Sequence, residues 1–333
     1  GKDWRKRFTG AHVLITGGSS GIGLELARQL VSTGAKITLL ARTKSTLEAA
    51  AAELRQVPSV GKCPAASVSF QCADVCQAQQ LTAAIQAAEK QHGPVDFLIC
   101  NAGAAQPGYF LDQELAVFER SMQLNYLGTV ATIKAVLGGM VARNHGHVCI
   151  ISSVMGSMGF VGYSSYSPSK YALKGLAECL RSELQGTAVT VSVAFPPDTD
   201  TPGLQKEDAT KPKETKDISA LSTVFSVQSV AKCILTGIAA GHFTLSTPDI
   251  GLNLHLGVMQ GLIPRGVLST LSSMLVGILA PLIQCVYGVL FDRIARQTAQ
   301  QRFSKLWGQQ PLLSDTAVAS THETTHPGSL SKS

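Results

Sequence analysis

Charge is scarce in this chain. Asp, Glu, Lys and Arg make up 15% of its 333 residues, and the formal net charge is only +6. The basic residues are scattered, apart from Lys2-Asp-Trp-Arg-Lys-Arg7. No basic stripe of the kind that neutralises phosphates is present, so nucleic acid is not a predicted partner. The eight cysteines contain no Cys-x-x-Cys pair, and the eight histidines are dispersed. Cys72 and Cys76 have a spacing that a metal could use, yet no histidine cluster accompanies them, and no metal is expected. Cys63, Cys72, Cys76, Cys100, Cys149, Cys179, Cys233 and Cys285 fall mostly in predicted strands or helices. That reads as core thiols in a reducing compartment. Neither an internal repeat nor a secretory signal is legible. The sequence starts at Gly1 rather than Met, which leaves room for an N-terminal anchor ahead of it.

What is present is alternation. Short apolar runs at His12–Thr16, Lys36–Leu40, Val68–Cys72, Val95–Cys100, His147–Ser152, Thr190–Phe195 and Phe243–Ser246 read as buried strands. Between them, helical spacing marks Ile22–Val31, Thr46–Arg55, Gln77–Gln91, Leu115–Arg143, Tyr163–Leu184 and Val227–Ala240. Alternation of this kind predicts an α/β domain with a parallel sheet of about seven strands and helices on both faces. The glycine-rich turn Thr16-Gly-Gly-Ser-Ser-Gly-Ile-Gly23 joins the first strand to the first helix. Glycine lets backbone approach a pyrophosphate, and the helix N-terminus adds N–H groups and positive dipole. The fold class is therefore a Rossmann-type doubly wound sheet, with Gly17, Ser19, Ser20, Gly21, Ile22 and Gly23 at a dinucleotide. An acidic residue ending the second strand would select NAD; here Ala41-Arg42 stands there, with Lys44 beyond. Cations suit a 2′-phosphate, so Arg42 and Lys44 predict NADPH.

Tyr166-Ser-Pro-Ser-Lys170 places a phenol and an ammonium one helical turn apart. A neighbouring cation lowers a tyrosine pKa and makes a general acid/base for carbonyl–alcohol chemistry. Ser153 lies thirteen residues upstream at the end of a strand, and Asn125 lies in Leu124-Asn-Tyr-Leu-Gly128. Together with Thr16–Gly23, Asp74-Val75 and Asn101-Ala-Gly103, these residues resemble, in order and spacing, the motif series of the short-chain dehydrogenase/reductase family over roughly residues 10–250. The resemblance implies a catalytic tetrad of Asn125, Ser153, Tyr166 and Lys170. It implies that Asp74 and Val75 flank the adenine, that Asn101, Ala102 and Gly103 border the cofactor, and that Pro196, Thr199 and Thr201 reach it as well. Tyr166 and Lys170 would also touch the nicotinamide ribose, and Asn125 would order a water behind Lys170 for proton relay. Phe195-Pro-Pro-Asp-Thr-Asp-Thr-Pro-Gly203 departs from the usual Pro-Gly of the family at Pro196-Pro197. This segment resembles the branch that reduces 3-ketosphinganine to sphinganine in sphingolipid synthesis. The polar stretch Leu204–Thr223 is expected to form a mobile lid over the substrate.

One long apolar stretch remains. Val267–Phe291 carries no charge over 25 positions, and as a helix would span ~37 Å. With Ile250–Pro264 it predicts membrane-associating helices over 250–292, as a hairpin or re-entrant segment. A buried or oligomer-forming helix pair, in a homodimer or homotetramer, is the competing reading. Arg293, Arg296, Arg302 and Lys305 follow the run and favour a cytosolic face. The expected organisation is a basic segment 1–9, a catalytic domain 10–249, apolar helices 250–292, and a basic then disordered tail 293–333. The expected setting is the endoplasmic reticulum membrane with the catalytic domain facing the cytosol. Two other functions stand beside lipid-ketone reduction: reduction of another hydrophobic ketone (steroid, retinoid or acyl chain), and a membrane-bound cofactor-sensing scaffold without turnover.

Overall fold

The computed structural model describes residues 4–58, 67–259 and 267–297. Among them, seven strands form one all-parallel sheet in the order β3-β2-β1-β4-β5-β6-β7. The strands are β1 (His12–Thr16), β2 (Lys36–Ala41), β3 (Ser67–Cys72), β4 (Phe97–Cys100), β5 (Gly146–Ile151), β6 (Val189–Ala194) and β7 (Thr244–Leu245). β1 and β5 are buried at every position, as strands covered on both faces must be. The helices are α1 (Gly21–Val31), α2 (Lys44–Leu54), α3 (Ala78–His92), α4 (Leu115–Ser121), α5 (Gly128–Ala142), α6 (Ser167–Glu183), α7 (Pro202–Thr210), α8 (Lys213–Ser219), α9 (Val227–Ala240), α10 (Ile250–Val258) and α11 (Val267–Gln297). Two apolar clusters result, one on each face. Leu26, Leu30 and Ile234 belong to the first, and Ile85, Ile133 and Leu173 to the second. Strand order reverses between β1 and β4, which opens a crevice at their carboxyl ends, where this fold class binds ligands.

Three expectations change. The helix expected over Leu115–Arg143 is broken by a π-helical segment, Met122–Leu127, which contains Asn125. Although this stretch is long and apolar enough to cross a membrane, Ile133, Val136 and Met140 pack into the core. The helix expected from Tyr163 starts at Ser167, because Pro168 is tolerated only in a first turn. The polar lid is helical rather than loose. Thr201 caps α7 by accepting from the Leu204 N–H at 3.2 Å, and Tyr109 ties down α8 by donating to Glu214 at 2.5 Å. Finally, α10 packs one side on the core, while Ile250 and Leu254 stay exposed. Leu252 and Leu256 are buried in the core, and Asp249 caps the helix at 2.9 Å. Of the tail expected over 293–333, the residues beyond Gln297, Arg302 and Lys305 among them, lie outside the described residues, as does Cys63.

His147 on β5 is sealed in the sheet. Its ring bonds Thr190 at 2.8 Å and Ser192 at 2.9 Å. Burial lowers its pKa from 6.5 to about 3. Between those values the unfolded chain binds the proton and the folded chain does not, so stability falls as pH falls, by about 1.4 kcal/mol per pH unit from this residue. Urea midpoints measured from pH 7 to pH 4 should drop, and His147→Gln should flatten the drop. An equally steep profile in the variant would show that other groups carry it.

Candidate active site

The crevice opens into a cavity of about 1200 Å³. One end is built by the turn after β1. Gly17 has φ +63°, a region that favours glycine, and an added Cβ at Gly23 would lie 2.4 Å from the Gly17 carbonyl oxygen. Asn101, just past β4, donates from Nδ2 to the carbonyls of Thr16 (3.2 Å) and Gly17 (3.1 Å), which locks the turn against the neighbouring strand. The start of α1 therefore faces the cavity with Ser19, Ser20, Gly21 and Ile22 on its wall. Arg42, Asp74, Val75, Ala102 and Gly103 continue that wall. A closely approachable backbone, a helix N-terminus and an exposed arginine together fit a phosphorylated dinucleotide. Lys44, by contrast, does not line the cavity; it is mostly exposed and pairs with Glu48 at 3.8 Å on α2.

The other end holds the reactive groups. Ser153 follows β5; its Oγ accepts from the Met155 N–H at 3.2 Å, and the hydroxyl favours ionisation of the Tyr166 phenol. Tyr166 caps α6, and the Lys170 N–H donates to its carbonyl at 3.3 Å, so the two side chains sit one turn apart. The Lys170 ammonium lies 5.7 Å from the Tyr166 ring centroid and donates to the Ile151 carbonyl at 3.1 Å. Ser152 accepts no such role; its hydroxyl donates to the Lys170 carbonyl at 2.8 Å and pins the helix to β5. Pro196, Thr199 and Thr201 also line the cavity.

The electrostatics depart from the sequence expectation. Burial first, and then the nearby Glu207 carboxylate, push the Tyr166 phenol above its usual pKa, with Ser153 opposing them. Lys170 is not what sets the shift. Burial lowers the lysine itself to about 8. At neutral pH the phenol is therefore protonated, which is the state a proton donor needs. Asn125 is fully buried and lies outside the cavity lining. Its Oδ1 accepts from the Ala104 N–H at 2.9 Å, and its Nδ2 donates to the Ala104 carbonyl (3.0 Å) and to Ser169 Oγ (3.0 Å). The amide is thus engaged in holding the loop after β4 against α6.

Residues 11–212 match the family model described as short chain dehydrogenase. The chain belongs to the short-chain dehydrogenase family. Relatives include the 3-ketodihydrosphingosine reductase of Bos taurus, 40% identical over 295 residues that cover 88% of each chain. The 3-dehydrosphinganine reductase of Danio rerio is 41% identical over 240 residues, 72% of each chain. Among solved structures, levodione reductase is 25% identical with a TM-score of 0.66, covering 74% of this chain and 98% of its own. An actinorhodin polyketide ketoreductase solved with NADPH is 27% identical with a TM-score of 0.63, covering 73% and 97%. As a short-chain dehydrogenase, the protein is an oxidoreductase that uses a nicotinamide dinucleotide.

Sequence reasoning missed a second set of cavity residues. Tyr163 donates its hydroxyl to Glu207 on α7, and its ring centroid lies 6.0 Å from that of Tyr166. Asp198 and Glu207 both line the cavity. Lys211, with only 1% of its side chain exposed, pairs with Asp208 at 2.6 Å, with Glu207 at 3.5 Å and with Asp198 at 4.0 Å. Asp198 lies within the noted Pro196–Gly203 motif, but Glu207 carries no sequence signal, because α7 was read as loop.

Proposed function

We propose that this enzyme reduces the ketone of 3-ketosphinganine to give sphinganine, with NADPH as reductant. The juxtaposition of Ser153, Tyr166 and Lys170 at one end of a dinucleotide-shaped cavity carries the chemistry, and the named relatives support the substrate. NADPH, when bound, supplies hydride to the carbonyl carbon. Ser153 holds the carbonyl oxygen, and Tyr166 gives it the proton that completes the alcohol. Lys170, its ammonium 5.7 Å from the Tyr166 ring centroid, would hold the cofactor ribose. Asn125 would order a water behind Lys170 for proton relay, while its amide holds the 104 loop and Ser169. Incubation of the purified protein with 3-ketosphinganine should consume NADPH absorbance in step with sphinganine formed. No consumption with this ketone, but turnover of a steroid or retinoid ketone, would overturn the substrate.

Arg42 lies exposed at the far end, where the 2′-phosphate is expected. Arg42→Ala should erode the preference for NADPH over NADH by about 10- to 150-fold, since hydrogen bonds to charged groups contribute roughly 1.5–3 kcal/mol. An unchanged ratio of the two kcat/KM values would assign the phosphate to another residue.

The proposed setting is the cytosolic face of the endoplasmic reticulum membrane. On α11, Met274, Ile278, Val286 and Val289 are 61–75% exposed, while Phe291 turns inward to line the cavity. A helix with an apolar outer face and an inner face on the substrate cavity suits an enzyme that takes a long-chain lipid from a bilayer. Replacing Ile278 and Val289 with Lys should release the protein from membranes in fractionation. Unaltered partitioning with a switch from dimer to monomer would assign the face to self-association.

A further inference from the structure

The carboxylates beside Tyr166 have no task in the chemistry above. Glu207 comes from α7 and Asp198 from the turn after β6; only 17% and 23% of their side chains are exposed. Both line the cavity, and Glu207 accepts from the Tyr163 hydroxyl, whose ring centroid lies 6.0 Å from that of Tyr166. Burial raises the pKa of each, although Lys211 opposes it. Lys211 is their nearest cation, and it is shared with Asp208, its closest partner. One ammonium thus serves three carboxylates. Lys206 also lines the cavity, and Lys170 is held by the Ile151 carbonyl. A wall with surplus negative charge and little water is costly unless a cation meets it. For proton donation it is unfavourable as well as unneeded, since it disfavours the phenolate that Tyr166 becomes.

A substrate cation resolves this. The inference rests on the 3-ketosphinganine reading. That ketone carries a primary amine on the adjacent carbon, two bonds from the carbonyl carbon. With the carbonyl oxygen on Ser153 and Tyr166, the amine falls within the reach of groups flanking the phenol. We propose that Glu207, with Asp198 beside it, receives the ammonium of an α-amino ketone and so selects it over a plain lipid ketone. Tyr163 orients Glu207 through its hydroxyl, and the apolar end near Leu254 and Phe291 takes the chain.

The test uses the full chain with NADPH and three ketones: 3-ketosphinganine, its N-acetyl derivative, and octadecan-3-one. Wild type should favour the free amine. Glu207→Gln, which keeps shape and removes charge, should raise KM for 3-ketosphinganine by about 10- to 100-fold, as loss of a charged hydrogen bond does. The same variant should leave KM for octadecan-3-one within about twofold, and any change in kcat from easing the Tyr166 phenolate should be shared by all three ketones. Asp198→Asn should shift the same constants less. An equal rise in KM for all three ketones would make Glu207 merely structural and overturn the proposal, as would a wild type indifferent to the amine. Unchanged kinetics on 3-ketosphinganine in the variant would sink this inference alone. Wild type inactive on 3-ketosphinganine but active on octadecan-3-one would sink the substrate reading itself, and this inference with it. Should Glu207→Gln not fold, octadecylamine must still compete for wild type where octadecanol does not; equal competition overturns the proposal.

Discussion

Tyr166→Phe should lower turnover by about 10²–10⁴-fold, the usual contribution of a positioned acid or base, while leaving NADPH binding nearly intact. Phenylalanine keeps the ring against Tyr163 and Lys170 and removes only the hydroxyl. In this site burial holds the phenol protonated, so the lost group is a loaded donor rather than a base awaiting a proton. The check is paired: single-turnover rates for the ketone, and NADPH affinity by fluorescence titration. Near-normal turnover would move the donor elsewhere, and Tyr163 would be next in line. Tyr163 is a weaker candidate, because burial and the Glu207 carboxylate raise its pKa further and its proton is already given to Glu207. Tyr163→Phe should therefore leave the chemical step far less affected than Tyr166→Phe.

The second large effect is expected at Gly23. A side chain here meets the Gly17 carbonyl oxygen at 2.4 Å and Asn101 Nδ2 at 2.5 Å. Neither can retreat freely: the first is backbone of the phosphate-facing turn, and the second holds that turn to β4. Gly23→Val must displace one or both, at a cost of about 1–3 kcal/mol or more. Because the strained atoms form the cofactor cradle, NADPH affinity should fall by about tenfold to beyond a hundredfold, with a lowered Tm. Gly138→Ala is the control. Nothing lies within 4 Å of its added Cβ, and it sits in the middle of α5. It should be neutral or stabilise the helix by up to about 1 kcal/mol. A Gly23→Val protein that binds NADPH normally would mean that the turn does not approach the cofactor closely.

Much of the sheet was legible residue by residue. His12–Thr16 and Lys36–Leu40 are apolar without alternation, which only strands covered on both faces require, and both are strands of the central sheet. Boundaries were less legible. The start of α6 was written in Pro168, but the apolar spacing from Tyr163 masked it. The π-helical segment around Asn125 left no signal, because the extra residue per turn is selected by what Asn125 must reach on the 104 loop and α6, not by local propensity. α7 and α8 looked like loop for a related reason. Their polar residues are held by distant partners: Tyr163 for Glu207, Tyr109 for Glu214, and the Val161 carbonyl for Thr215.

The residue pattern on its own determined the parallel sheet, the glycine turn at a dinucleotide, and the series from Ser153 through Tyr166 to Lys170. Those features are set by neighbours in the chain: alternating apolar runs, a turn that tolerates no side chain, and a one-turn spacing. Only the tertiary structure decided that α10 packs one side on the core, that Lys44 stands apart from the cavity, and that Glu207 and Asp198 line the cavity with Tyr166. These outcomes depend on groups that meet across dozens of residues, where burial and charge at one point are fixed by side chains arriving from another. The same physics reversed the expected pKa of Tyr166. A lysine one turn away would lower it in water, but inside the cavity desolvation and two carboxylates from other elements raise it, against the opposing effect of Ser153.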